Sequence, residues 1–137
     1  KPANVMISTE GGVKIMDFGI AYQAKMTVAR LTRQEAWGTP PYMSPEQELG
    51  KVANGVDLYA MLVCLYEMLT GELPFSGPNF LAQKREELFR KPREIVPALP
   101  AGIDALFEKG FAAEPGRRYQ TGSEIVSAMG RMAPGVD

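Results

Sequence analysis

Apolar positions change their rhythm along the chain, and each rhythm predicts a different element. Val5-Met6-Ile7-Ser8 and Val13-Lys14-Ile15-Met16 are short β-rich runs around Thr9-Glu10-Gly11-Gly12, which predicts a hairpin closed by a glycine turn. From Ala21 to Trp37 no period is visible. That stretch is polar and basic and lies between Gly19 and Gly38, so it reads as a long surface loop. Beyond Pro45 the pattern turns helical, with a short helix over Glu46–Leu49, a second from Asp57 to about Thr70, and a third over Asn79–Arg90.

The second helix is apolar from Leu58 to Leu69 apart from Glu67. It is too short for a membrane span, which needs about 20 residues, so it is expected to be buried all round inside a globular core. Gly71 and Pro74 stop it, and Asp57 can cap its start. Glu86 precedes Arg90, and Glu87 precedes Lys91, by the helical spacing that pairs exposed charges. Pro92, Pro97 and Pro100 mark a connecting stretch, after which Ile103, Leu106, Phe107 and Phe111 recur at helical spacing. Thr121 and Glu124 form a capping-box pattern for a last helix whose inner face would be Ile125, Met129 and Met132. The fold class read from this pattern is mainly α with a small β-hairpin.

Composition narrows the chemistry. With 137 residues and 45% apolar content the chain can bury a core as one domain. Fifteen basic against sixteen acidic side chains give a net charge of -1, which offers no field for a nucleic-acid backbone. The single cysteine, Cys64, lies in an apolar run, so it reads as a buried inert thiol in a reducing, cytoplasmic setting. There is no histidine, which removes histidine triads, proton shuttles and the common zinc sites together. Catalysis here has to rest on carboxylates, amides, lysine or a bound ion. Lysine at position 1, with no targeting stretch after it, reads as a piece of a longer chain, whose membrane anchoring elsewhere stays open.

Two motifs carry that chemistry. Asp17-Phe18-Gly19 supplies a carboxylate able to hold a metal against phosphates, and Gly38-Thr39-Pro40-Pro41-Tyr42-Met43-Ser44-Pro45-Glu46 has the make-up of a peptide-docking loop. Together with Lys1-Pro2-Ala3-Asn4, Asp57 and Arg118, in this order, they make the chain resemble the C-terminal lobe of a eukaryotic-type Ser/Thr protein kinase, most similar to bacterial members. The resemblance divides the chain into a catalytic-loop remnant over residues 1–8, an activation segment over 17–46 and a helical subdomain over 46–132.

The resemblance implies roles residue by residue. The family's catalytic loop, His-Arg-Asp-Leu-x-x-x-Asn, would place Asn4 as its asparagine and its general base two residues before Lys1. Asn4 and Asp17 would hold Mg²⁺ on the phosphates of ATP, although a turn asparagine and a turn aspartate are the plain alternatives. Lys1 and Thr39 would stand at the transfer site, which points to Ser/Thr rather than Tyr acceptors; Lys1 could equally be an exposed terminal lysine. Met6 and Met16 would border the adenine ring, with core packing as a close rival. Phe18 and Gly19 would set the active or inactive arrangement. Thr27 and Thr32, among basic neighbours, are candidate phosphorylation sites in a loop that could as well be unmodified. Glu46 and Arg118 would form a structural pair, Asp57 would hold the catalytic loop from below or merely cap its helix, and Glu67 matches an acidic position that reads basic residues ahead of the acceptor.

One position departs from the pattern: Leu62 stands where the family has glycine. A bulky side chain in a tight region needs compensation, with Ala60 and Cys64 as candidates, or else displaces the catalytic loop. The expected function is therefore Ser/Thr phosphoryl transfer by the intact protein, with ATP, a protein acceptor and the missing N-terminal lobe as partners. The isolated piece is expected to be inactive and open to self-association through its uncovered hairpin. The alternative is a non-catalytic kinase-like interaction module.

Overall fold

A computed structural model describes residues 1–15, 40–51 and 53–133. The loop expected over residues 21–37 lies outside them. The hairpin forms as predicted, from β1 (Val5–Ile7) and antiparallel β2 (Val13–Ile15), with Val5 opposite Ile15, Met6 opposite Lys14 and Ile7 opposite Val13. Ser8 ties the turn: its N–H donates to Gly12 O at 2.7 Å, its carbonyl accepts from Gly11 N at 2.9 Å, and its hydroxyl accepts from Gly12 N at 2.9 Å. Gly11 turns the chain at a φ of 83°, where a side chain would be strained. Met6, Ile7, Val13 and Ile15 are all exposed.

Among the described residues six α-helices follow: α1 (Pro45–Glu48), α2 (Val56–Thr70), α3 (Phe80–Arg85), α4 (Pro92–Ile95), α5 (Ile103–Gly110) and α6 (Gly122–Gly130). The described part is thus mainly α with a two-stranded hairpin. α2 is the central element, packed by α4, α5 and the 3-10 turn Pro40–Tyr42. Its Tyr59, Leu62, Val63 and Tyr66 meet Phe75, Ile103, Leu106, Phe107, Phe111, Ile125 and Ala128 in one buried cluster. Phe111 is the hub, with ring centroids 5.4 Å from Tyr59 and Phe75, 5.2 Å from Phe89 and 5.5 Å from Phe107. Tilted and edge-on ring pairs of this kind add to area burial.

Several expectations are corrected. α2 starts at Val56 after Gly55, whose φ of 91° makes the entry turn, so Asp57 is not the cap but an exposed residue of the first turn. There its charge still complements the helix dipole. α2 is not buried all round either: Met61 and Met68 lie on a face that its packing partners leave uncovered. α3 ends at Arg85 rather than Arg90, because the chain breaks at Glu87 with a φ of 55° and carries Phe89 into the aromatic cluster. Burial of that ring outweighs the helical propensity of the charged run before it. The expected pairs within that helix are replaced by tertiary ones, Arg90 with Glu72 at 3.2 Å and Lys91 with Glu108 at 2.7 Å.

The proline-marked connector contains α4, with Pro92 at its first position, where no N–H is needed, and Glu94 accepting from Lys91 N at 3.3 Å. At α6, Thr121 caps by accepting from Glu124 N at 3.2 Å, but Glu124 reaches one residue further back, to Gln120 N at 2.8 Å. The inner face of α6 is Ile125 and Ala128, and Met129 is exposed.

Candidate functional site

Asn4 ends a 3-10 turn over Pro2–Asn4 that is closed by its own N–H donating to Lys1 O at 3.0 Å. Pro2 suits the first position of such a turn. Asn4 is half-buried and leads directly into β1, whereas Lys1 is exposed and Met6 is 54% exposed. β2 ends at Ile15 opposite Val5, the residue after Asn4, and Ile15 lies two residues before Asp17 in the sequence. Asp17 itself lies outside the described residues, as do Met16, Phe18, Gly19, Thr27, Thr32 and Thr39. Among the described residues no three carboxylate or thiolate groups converge as a metal cluster.

The Pro40–Glu46 stretch leads from the Pro40–Tyr42 turn into α1. Ser44 is fully buried and caps α1, its Oγ accepting from Gln47 N and its N–H donating to Gln47 Oε1, both at 3.4 Å. Glu46 takes a two-pronged ion pair from Arg118, with Nη1 to Oε1 at 2.7 Å and Nη2 to Oε2 at 3.0 Å. Arg118 is satisfied further by Ala112 O at 2.6 Å and Ala113 O at 3.0 Å, and its guanidinium lies 4.8 Å over the Tyr59 ring. The planar fork matches a carboxylate in two bonds, which is why arginine rather than lysine suits this place. Burial by itself would push the Glu46 carboxyl up, but the Arg118 hydrogen bonds and charge outweigh it and hold it below the usual carboxylate range. The structure therefore brings Glu46 and Arg118 together across the fold, and leaves Asp57 exposed.

Three arrangements were not foreseen from sequence. Tyr42 donates its hydroxyl to Glu67 Oε2 at 2.5 Å, and burial together with that carboxylate pushes the phenol far above its ordinary range. Lys84 on α3 is fully buried and donates to Glu48 Oε2 on α1 at 2.9 Å. Burial lowers the Lys84 pKa, and the bond and charge of Glu48 only partly offset that. Leu62, the departure from the family pattern, has its Cδ1 in the space in front of Gly110 on α5, where a side chain's first carbon would collide with it. The Tyr42–Glu67 contact left a trace in sequence, because both residues belong to segments the resemblance had singled out, and so did Leu62 as a departure, but not its seat at Gly110.

Comparison with known proteins agrees with this arrangement. A family model described as protein kinase domain matches residues 1–121. The probable serine/threonine-protein kinase PknB of Bifidobacterium longum is 43% identical over 130 residues, covering 91% of this chain and 19% of that protein. The probable serine/threonine-protein kinase PknB of Corynebacterium glutamicum is 37% identical over 142 residues, covering 97% of this chain and 22% of that protein. PknB of Mycobacterium tuberculosis, a serine/threonine-protein kinase, is 38% identical over 142 residues, with 98% of this chain and 22% of that protein covered. The chain spans about a fifth of the length of these relatives. A match running unbroken from the Pro2–Asn4 turn to the cap of α6, over a lobe with this hairpin and this Glu46–Arg118 pair, makes the chain a member of the protein kinase domain family.

Proposed function

We propose that the chain is the C-terminal lobe of a Ser/Thr protein kinase and that the intact protein transfers the γ-phosphoryl group of ATP to Ser or Thr hydroxyls of proteins. The observation that supports this reading is the hairpin register, in which Val5, next to Asn4, faces Ile15, two residues before Asp17 in the sequence. The Asn4 amide oxygen and the Asp17 carboxylate are hard oxygen donors, the chemistry that Mg²⁺ takes. Bound there, the ion would neutralise charge on the ATP phosphates during transfer. Lys1 and Thr39 position the acceptor hydroxyl and the moving phosphoryl group, and Met6 and Met16 border the adenine. Phe18 and Gly19 set the arrangement of the metal-binding motif, and phosphate on Thr32 or Thr27 orders the segment between the two motifs. Glu67, fixed by the Tyr42 hydroxyl, meets a basic residue ahead of the acceptor.

The partners in this reading are ATP, an acceptor protein and an N-terminal lobe resting on the hairpin, in the cytoplasm. Among the described residues no helix is long and apolar enough to cross a membrane. Alone, the 137-residue chain does not turn over ATP, and its exposed Met6 and Ile15 favour self-association. The rival reading, a non-catalytic interaction module, drew on displacement of the catalytic loop by Leu62. The space that Gly110 leaves for Leu62 supports the catalytic reading over the module.

Replacement of Asp17 by asparagine in the intact protein is the test. Phosphorylation of a protein substrate, followed with radiolabelled ATP, should fall by about a thousand-fold or more while the melting temperature stays within a few degrees. A variant that keeps wild-type turnover would sink the assignment, and a wild-type protein that transfers no phosphate would favour the module.

A further inference from the structure

α1 has four residues, too few to hold a helix by its own hydrogen bonds. Its place is set by what its side chains grip. Glu46 and Glu48 are two residues apart, so at about 100° per residue they leave the helix on opposite sides. Glu46 is gripped by Arg118, from the segment between α5 and α6. Glu48 is gripped by Lys84 of α3, at 2.9 Å, in a pair whose lysine is 0% and whose glutamate is 15% exposed. The Phe80 ring of α3 lies 5.5 Å from the same ammonium. α1 is thus clamped between two parts of the lobe, directly after the Pro40–Ser44 stretch that it terminates.

We propose that the Glu48–Lys84 pair is a positioning element for the protein acceptor: it fixes the docking stretch Pro40–Ser44 relative to α3, so recognition of the acceptor depends on it and handling of ATP does not. The proposal rests on the kinase reading above. A buried lysine–carboxylate pair is a costly way to gain stability, since two charges leave water to make it. What it supplies is direction, because the ammonium must meet the carboxylate oxygen at one place along α1. The two clamps differ in kind. Arg118 is anchored in the segment between α5 and α6 by two backbone carbonyls, and Lys84 stands on α3, so its bond links one helix to another. A shift of α3, caused by an acceptor seated against it, is therefore transmitted through Lys84 to the docking stretch.

The pair also predicts an asymmetry between variants. Lys84→Met removes the buried charge and leaves Glu48, which can take up water at its exposed edge. Glu48→Gln keeps the buried ammonium and takes away the opposite charge, so it is the more disruptive change.

The test uses the intact protein with Lys84→Met, Glu48→Gln and the double variant. Steady-state kinetics are run against a protein substrate and against ATP, with rates referred to folded protein by thermal melt. KM for the protein substrate is expected to rise about five-fold or more in each variant, with KM for ATP and kcat within about two-fold of wild type. The double variant should cost less than the sum of the two single changes, since both residues share this contact. An unchanged protein-substrate KM in Lys84→Met, or a parallel loss in kcat and in KM for ATP, overturns the positioning role while leaving the kinase reading intact. A wild-type protein without transferase activity overturns both.

Discussion

Gly110→Ala puts one methyl group where Leu62 Cδ1 already sits. The added carbon would lie well inside van der Waals distance of Cδ1, with Leu62 Cγ at 3.6 Å and Cδ2 at 3.8 Å behind it. Leu62 has no free direction in which to swing, being 1% exposed within the cluster of Tyr59, Tyr66 and Phe111. Overpacking a filled core costs about 1–3 kcal/mol. Replacing glycine by alanine in a helix returns about 0.5–1 kcal/mol, and less at Gly110 because it is the last residue of α5. The net expectation is a loss of about 1–2 kcal/mol. Leu62→Ala alone empties the site and should cost about 2–5 kcal/mol. In Leu62→Ala with Gly110→Ala, the alanine methyl at position 110 enters the vacated space, so the pair should be no less stable than Leu62→Ala by itself. Urea unfolding followed by far-UV circular dichroism, with equal m-values across the four proteins, reads the cycle. Gly110→Ala at or above wild-type stability, together with strictly additive effects, would refute the claim that glycine at 110 is what admits leucine at 62.

Other perturbations test separate parts of the same lobe. Tyr59→Phe removes a hydroxyl that is buried without a hydrogen-bond partner among the described residues, so stability in thermal melts should hold or rise by up to about 1 kcal/mol; a clear loss would show that the hydroxyl is satisfied. Because the folded Glu46 carboxyl is held below its ordinary value of 4.5, the pair with Arg118 contributes above that pH and loses its contribution as pH falls through the folded value. Unfolding free energy should thus drop more steeply below pH 4.5 in wild type than in Glu46→Gln, and parallel acid limbs would count against the pair. Lys84 acts with the same sign, at the alkaline end. Its folded pKa is lowered below 10.5, so stability rises with pH across the window between the folded and unfolded values, and Glu48→Gln should carry that window to lower pH in denaturation titrations. Asn79→Ala removes the oxygen that accepts from Ala82 N at 3.2 Å and should cost about 1 kcal/mol by the same unfolding assay.

What was legible in the sequence follows from how far apart the deciding residues lie. The hairpin, the body of α2, the start of α5 and the Thr121 cap are set by neighbours within a few positions, and each formed where the pattern put it. The end of α3 was not legible. Its decision is made by Phe89 joining Tyr66, Phe75 and Phe111, residues scattered through the chain, and no local rule weighs that burial against a run of helix-forming charges. The choice of Ala128 over Met129 for the inner face of α6 is of the same kind, since both fit a helical period and only the space beneath the helix chooses between them. The metal-binding half of the site was legible as a resemblance, from Asn4 and Asp17. The hairpin register adds that the residue after Asn4 pairs with Ile15, and Asp17 itself lies outside the described residues.

α1 shows where reading by resemblance stops. Glu46 was singled out because a family motif contains it, and Arg118 came with it as a known counterpart. Glu48, two residues along the same helix, carries no motif, and its partner Lys84 lies 36 residues away on a helix whose own length was misjudged. Yet both glutamates answer the same physical problem. A four-residue helix closing a docking stretch has no stability of its own, so its orientation has to be imposed by side chains reaching out from larger elements. One grip would leave α1 free to pivot about the Glu46–Arg118 axis. A second grip on the opposite side removes that freedom, and because it ends on α3 it ties the docking stretch to a particular helix of the lobe. In the proposed reading the buried lysine thereby joins the part of the lobe that meets the acceptor, although nothing in its sequence neighbourhood marks it.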